Sequence, residues 1–554
     1  MDAKTKHKLK HLDVDGSKIT DEQTRSDVGF LLEGVEQLAT ENQQLEEQNQ
    51  KLKDEINRLN GEQGKPSIRP QKKDDGDVSS EQERKPKKPR KRKKRQKKKD
   101  SIKTSRVRKC EVDQTKLPAD AIFKGYDSVV IQEIVIKPDN IEFQREVYYS
   151  PSLKKRFIAP MPPGYQGEYG PGIKSLILCL YNDSKITEPA LYRLLNSVGI
   201  VISKATISRI ITDEVSIFNH EKQSIIAAGL QSTDYQHIDD TGARVNGKNH
   251  YTHVLCNPFY TAYFTRPYKD RLTVLKIIAG DDLVFYLNEE SLLLMRELGL
   301  PKKYLSRIEE QCNPSRVFNE HEIDELLVAY FPDPSKHHKN RKVIKEASAV
   351  IAYQCREDAI KILLCDDAPQ FKSITEYLSL CWVHEGRHYK KLKPFRAANQ
   401  VKLDGFLDEF WEFYRALLDY KKAPSERQAE KISNDFDALF GKCTGYDLLD
   451  ERITKTRAKK DSLLQVLKHP HLPLHNNPAE LGARTQARKR DISLQTKNDK
   501  GTEAKDSMMT IVETATKLGV NVFDYIYDRI SRAFSMPALA SVITKMSQTT
   551  LNTG

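Results

Sequence analysis

The chain has 554 residues, enough for several domains, and carries 91 basic against 78 acidic side chains for a formal net charge of +13. That excess sits in residues 84–99, which hold 13 basic residues and no acidic one, so the remainder is neutral overall and the polycation is a separable device. Eight cysteines without a CxxC pair argue against a disulfide framework, no apolar run approaches a membrane span, and the N-terminus lacks a secretory apolar segment; a soluble, cytoplasmic protein with no membrane partner is expected.

After a tail over residues 1–27, Leu31, Leu38, Leu45, Leu52 and Leu59 recur every seventh residue, with Val28, Val35, Asn42, Asn49 and Ile56 three places earlier in each heptad. This pattern predicts a parallel two-stranded coiled coil over residues 28–60, in which Asn42 and Asn49 fix the register at a cost in stability. A single amphipathic helix packed on its own chain is the alternative, although such a helix usually carries a broader apolar stripe. Residues 61–108 are almost devoid of aliphatic side chains and read as a disordered basic linker. Arg90, Lys91, Arg92, Lys93, Lys94 and Arg95 at its centre would hold a phosphate backbone through counterion release, without reading base sequence; a solvated tail or an address signal is the alternative.

Residues 109–173 form a small strand and loop region, with short strands expected over 134–151 and a Pro/Gly-punctuated link over 154–172. Residues 174–230 then read as a helix-turn-helix-like DNA-binding segment with helices at 174–182, 187–197 and 203–215. Gly199 lies in the turn and Ser203 caps the third helix. That third helix would offer Lys204, Thr206, Ser208 and Arg209 to a major groove. Short helices joined by glycine turns also occur in proteins that never touch DNA, and the spacing alone favours neither reading.

Residues 235–239, 250–256 and 260–265 read as strands, the last two a hairpin around Asn257-Pro258, followed by a helix from about 270 to 279. Much later an apolar run ends in Asp366-Asp367, as suits a central strand that delivers a carboxylate to the rim of a sheet. A third block opens a helix, with Asn477 as N-cap, Pro478 in the first turn and Glu480 after it. Each acid alone has a local explanation: a turn for Asp239 and Asp240, a strand end for Asp366 and Asp367, a near capping box for Glu480. Together they are what phosphoryl transfer on DNA requires, because two divalent cations ~3.5–4 Å apart need several hard bridging oxygens.

The segments IDDTGARVNGKNHY, LLCDDAPQF with LCWVHEGRHYKKL, and LHNNPAELGAR resemble, in the same order, the three catalytic blocks of insertion-sequence-66 family transposases. The ending VETATKLGVNVFDYIYDRI is similar to that family's C-terminal helix pair. The resemblance implies an α/β fold: an RNase H-like mixed-sheet catalytic core over residues 231–500, with helical insertions at about 283–345 and 390–468, and a helical segment over 501–554. The long spacing of 127 residues from Asp239 to Asp366 fits the first insertion. It also implies Asp239, Asp366 and Glu480 as a metal-binding Asp-Asp-Glu triad with Mg2+ or Mn2+, two ions being expected. Strand alternation sends Asp239 and Asp240 to opposite sides without saying which meets the metals, so the choice of Asp239, and of Asp366 over Asp367, follows the family's register.

Cys381-Trp382-Val383-His384 with Arg387 resembles the family's Cys-Trp-x-His block and reads either as part of the core or as a DNA-contacting group. Asn476, Asn477 and Arg484 flank Glu480 and could orient it or touch substrate. Only Cys110 stands where the family often carries cysteine pairs, which argues against zinc there, and His475 replaces a usual acidic residue. The implied activity is metal-dependent cleavage of transposon-end DNA and strand transfer into target DNA, in a bacterial cytoplasm and associated with the nucleoid. The partners would be double-stranded DNA, a second copy through the zipper, and possible accessory transposition proteins. The alternatives are a non-catalytic dimeric DNA-binding regulator or decayed transposase, and an RNase H-fold nuclease that cuts without joining.

Overall fold

The computed structural model describes residues 19–59 and 103–551, apart from 119, 313–315 and 395. The basic stretch 84–99, with Arg90 to Arg95, lies outside the described residues. The zipper sequence forms one helix, α1 (Glu22–Leu59). Leu31, Leu38 and Leu45 stand exposed along it, Asn42 donates to the Leu38 carbonyl of its own helix, and Arg396 reaches the Gly29 carbonyl near its start. Of the strands expected over 134–151 only residues 147–150 pair, as β1 (Val147–Ser150) with β2 (Lys155–Ile158), because residues 134–146 meet no partner strand among the described residues.

Helices α2 (Pro171–Asn182), α3 (Glu188–Ser197) and α4 (Lys204–Thr212) follow. Ser203 caps α4 by accepting from the Thr206 N–H, and Gly199 takes φ +88° in the turn before it, a conformation open to a residue without Cβ. Helix α4 ends earlier than the expected 215, and α5 (Ser216–Leu230) begins almost at once.

The centre is a five-stranded mixed sheet of order β5-β4-β3-β8-β9. Strands β3 (Tyr235–Val245), β4 (Lys248–Cys256) and β5 (Thr261–Arg266) form an antiparallel meander. Helix α6 (Arg271–Ala279) leads away from it, capped by Asp270. The first insertion holds β6 (Phe285–Tyr286), α7 (Glu289–Glu297), α8 (Lys302–Glu309), β7 (Val317–Phe318), α9 (Glu320–Tyr330) and the start of α10 (Pro334–Gln354). It is thus not wholly helical, since β6 pairs with β7. Strand β8 (Ile362–Cys365) returns parallel to β3, and β9 (Tyr377–Leu380) lies parallel beside β8.

Helix α11 (Trp382–Lys390) leaves β9, and the second insertion is helical throughout: α12 (Ala397–Tyr420), α13 (Glu426–Phe440), α14 (Asp447–Arg457), α15 (Lys460–Leu463) and α16 (Gln465–Lys468). The chain ends in α17 (Asn477–Ser493), α18 (Asp499–Lys517), α19 (Val522–Ile530) and α20 (Leu539–Leu551).

Strand alternation sorts the meander into two faces. Ile238, Leu255, Ala262 and Phe264 join the large core with α5, α6 and α10, whereas Val254 and Tyr263 pack against Ala483 of α17 and Met509 of α18. Strand β5 is an edge, and α18 satisfies its outward backbone N–H groups. Thr261 N–H donates to Thr514 Oγ1, Tyr263 N–H to Thr510 Oγ1 and Thr265 N–H to Asp506 Oδ2, at 3.2, 3.1 and 2.5 Å. These acceptors stand at i, i+4 and i+8 of one helix face, so a helix side-chain ladder replaces the missing sixth strand and closes the edge to foreign pairing. Thr510→Val keeps the shape but strands a buried N–H; it should cost about 1–3 kcal/mol in a denaturant titration, and an unchanged midpoint would refute the role of the ladder.

Candidate active site

The sheet register determines where the first pair of acids points. Asp239 is paired with Val254, which is paired in turn with Tyr263, so Asp239 lies on the face covered by α17. Asp240 is paired with His253 and emerges on the opposite face. There it accepts from Gln370 Nε2 at 2.7 Å and stands 3.5 Å from Lys269 Nζ.

Asp366 and Asp367 follow the end of β8, the strand parallel to β3, and Asp239 and Asp240 lie within β3 just beyond the last residues it pairs with β8. Asp367 is held by two lysines, with Lys372 at 2.9 Å and Lys459 at 2.7 Å. Against its burial, these ammonium groups keep its carboxyl below the usual carboxylate range. Among the described residues Asp366 accepts the Ala368 N–H alone, at 3.2 Å, and burial raises its carboxyl against the opposing influence of His384. Arg271 staples the loop that carries both acids: its guanidinium donates to the Lys372 and Pro369 carbonyls and to Glu346 of α10.

A buried amide joins this sheet to the helix of the third acid. Asn476 Nδ2 donates to the Ile238 carbonyl at 2.8 Å, so its Oδ1 faces His237 Nδ1 at 3.0 Å and the imidazole carries its proton on Nδ1. Burial pushes His237 down to about 3, which keeps it neutral. The Asn476 N–H donates to Cys381 Sγ, the atom that also caps α11 by accepting from His384 N–H. Burial pushes that thiol up to about 12. Helix α17 therefore starts from a corner pinned to β3 and to the end of β9. It can lie close to the sheet because a Cβ at Gly482 would come 2.6 Å from Val254 Cγ1.

Glu480 thus reaches the face that holds Asp239. Its two oxygens accept from Arg387 Nη2 and Nη1 at 2.9 and 3.3 Å, and Arg484 lies 3.7 Å away one turn further along. Asp239 accepts the Asp240 N–H at 2.8 Å. Burial, then the carboxylate of Asp366 and further those of Asp240 and Glu480, push its carboxyl up to about 8. Among the described residues, no lysine or arginine is paired with Asp239 or Asp366, and no group of three or more His, Cys, Asp or Glu side chains is arranged to hold a metal ion.

Several expectations from sequence are corrected here. Trp382 is wholly buried, with its indole N–H on the Leu463 carbonyl and its ring among Phe410, Phe413, Phe436 and Phe440, so it anchors the second insertion and cannot touch DNA. Asn476 is likewise buried with both ends of its amide engaged, and it occupies the N-cap position expected for Asn477. Asn477 is the first helical residue, and its N–H donates to His475. His384 and Arg387 share one side of α11 and stand among the acids, where burial holds His384 below its ordinary value against Asp366.

In α4, Lys204 and Arg209 are exposed while Thr206 and Ser208 are half-buried; Ile207, Ile210 and Ile211 fill the inner face. The structure does not bring these four near the acids. The side chains of Leu52 and Leu59 lie outside those described. Arg271, Gln370, His237, Lys459 and Gly482 were not singled out from sequence. Only Gly482 had a local signal there, a glycine inside a helical pattern; the others act across more than 60 residues of chain.

These features define a mixed α/β protein with a carboxylate cluster between a central sheet and a C-terminal helix. Residues 320–504 match the family described as transposase IS66 family, a span that contains Asp366 and Glu480 but not Asp239. The chain is also 30% identical over 309 residues, 55% of its own length and 94% of the relative's, to the uncharacterized protein y4jO of Sinorhizobium fredii (strain NBRC 101917 / NGR234). The chain belongs to the transposase IS66 family. Among the described residues no helix is long and apolar enough to cross a membrane.

The raised Asp239 carboxyl has a consequence for stability. The unfolded chain releases this proton near 3.8, the folded chain only near 8, so folding takes up a proton between those values and stability falls as pH rises through them. Asp239→Asn removes that cost. In chelator, its thermal midpoint should exceed the wild type's by a few degrees at pH 9 and converge on it near pH 4; a gap that is constant with pH would show that the carboxyl is not perturbed.

Proposed function

We propose that the protein is a DNA transposase that cleaves transposon ends and joins them to target DNA through Asp239, Asp366 and Glu480. One observation carries this reading: the β3–β4 register puts Asp239 on the α17 face with Glu480, and Asp366 leaves the adjacent parallel strand beside it. The strand order, with an antiparallel three-strand meander, two added parallel strands and helices on both faces, supports the reading of an RNase H-like core.

The donor set fits divalent cations such as Mg2+ or Mn2+, because Asp239 and Asp366 are hard carboxylates with no Lys or Arg partner among the described residues, and burial, then the neighbouring carboxylates, push Asp239 toward protonation. Bound there, such ions would supply charge neutralisation for in-line displacement at phosphorus.

The chain's own residues supply the positioning. Asn476 holds the β3–α17 corner, Arg271 fixes the loop behind Asp366, and Asp240 and Asp367, each neutralised by lysine, support rather than take part. Exposed Arg484 is a phosphate contact next to Glu480, Asn477 lies at the same rim, and His384 faces Asp366. Lys204, Thr206, Ser208 and Arg209 would read or hold the element ends from α4. The basic arm from Arg90 to Arg95 would add sequence-independent grip. The exposed Leu31, Leu38 and Leu45 stripe favours a parallel homodimer that holds two ends together.

A non-catalytic DNA-binding dimer is the rival reading, and the engagement of Glu480 by Arg387 favours it. Glu480→Gln separates the two. With Mg2+ or Mn2+ and DNA carrying the element ends, the wild type should yield nicked and joined products. The variant should lose at least about a thousandfold in rate while binding the same DNA equally; full activity in the variant sinks the site, and no product from the wild type favours the rival.

A further inference from the structure

The pairing of Glu480 is the feature that the transposase reading leaves unexplained. Arg387 projects from α11 and holds both oxygens of the carboxylate through its two terminal nitrogens. The side chains are 23% and 14% exposed, so water screens the pair little and it is stronger than a surface ion pair. A guanidinium stays charged in a protein, so the pair opens when another anion takes the fork. The planar fork that matches a carboxylate matches a phosphate equally well, with two parallel hydrogen bonds in each case. Arg484 is a poor substitute, being 48% exposed and 3.7 Å from a single oxygen.

The surroundings make this contact consequential. Asp240 and Asp367 already have lysine partners, whereas Asp239 and Asp366 have no cationic partner among the described residues. With Glu480 clasped, no three ligating side chains among those described converge on one point. A cation would thus meet two carboxylates and a guanidinium whose positive charge repels it.

We propose that Arg387 is a built-in counter-cation that withholds Glu480 from the metal site until a DNA phosphate draws the guanidinium away, so that divalent metal is held tightly only when DNA is present. The inference rests on the carboxylate assignment proposed above. Arg387 is then a positioning residue that couples substrate binding to metal loading. The coupling is reciprocal, as it must be for two ligands that compete for linked groups: metal tightens DNA to the same degree that DNA tightens metal.

Mn2+ binding by the full chain, read from the loss of the free-ion spin resonance signal with and without a short generic duplex, tests this directly. The signal lost to duplex alone is subtracted. Wild type should bind Mn2+ at least about tenfold more tightly with duplex than without, and Arg387→Gln should bind without duplex at least as tightly as wild type does with it. Arg387→Lys, which keeps the charge but not the fork, should fall between the two and serves as the reading if the Gln variant fails to fold. Arg387→Gln or Arg387→Lys no tighter than wild type in the absence of duplex, or wild-type binding indifferent to duplex, overturns the proposal. Glu480→Gln distinguishes the underlying reading: if it binds Mn2+ like wild type in both conditions, the carboxylate assignment itself is wrong and the latch falls with it.

Discussion

The buried amide of Asn476 is the contact on which the rest of the site depends. It lies one residue before α17 and bonds to the backbone and side chain of the two residues just before Asp239, so two segments separated by 239 positions share one corner. A neutral His237 and an unionised Cys381 complete that corner without introducing a charge. This matters because a charge at that depth would be costly to bury. From that fixed start α17 runs across β3 and β4, and the missing side chain at Gly482 lets it come close enough to bring Glu480 over Asp239.

The acids of the site divide by the company they keep. Asp240, Asp367 and Glu480 each have a cationic partner, through Lys269, Lys372 and Lys459, and Arg387 respectively. Among the described residues Asp239 and Asp366 have none, and both carboxyls are raised by burial. Lysine partners make the first two local structure. Arginine on the third is different, because its fork suits the substrate of a DNA-processing enzyme as well as it suits a carboxylate. A site whose like charges are left uncompensated is unstable by itself and is suited to bind cations.

The scaffold around this centre uses polar side chains where more strands would otherwise stand. The Asp506, Thr510 and Thr514 ladder of α18 closes the edge of β5, and Lys517 at the end of the same helix donates to the Asn257 and Tyr260 carbonyls. The second insertion is anchored differently, by Trp382 inserted into a cage of phenylalanines from α12 and α13. Because Trp382 is the first residue of the helix that carries His384 and Arg387, the insertion sets the position of the residues that face the acids.

Local chemistry made much of this legible in advance. The leucine heptads over α1, the Ser203 cap and Gly199 turn before α4, the hairpin of β4 and β5, and the Pro478 helix start before Glu480 all depend on neighbours a few residues away, and sequence order displays such neighbours directly. The three acidic blocks were likewise visible as blocks. What sequence left open was which member of each aspartate pair faces inward, since strand alternation states only that neighbours oppose each other; the pairing of Asp239 with Val254 and the lysines on Asp367 are contacts between distant segments. The same limit misplaced Trp382 and Asn476, whose types suit either DNA or a core, and concealed the grip of Arg387 on Glu480 across 93 residues. Sequence by itself determined the elements and the chemistry available, because propensity and periodicity act along the chain. Tertiary structure alone decided which charges meet, because a carboxylate's partner is set by distance and burial.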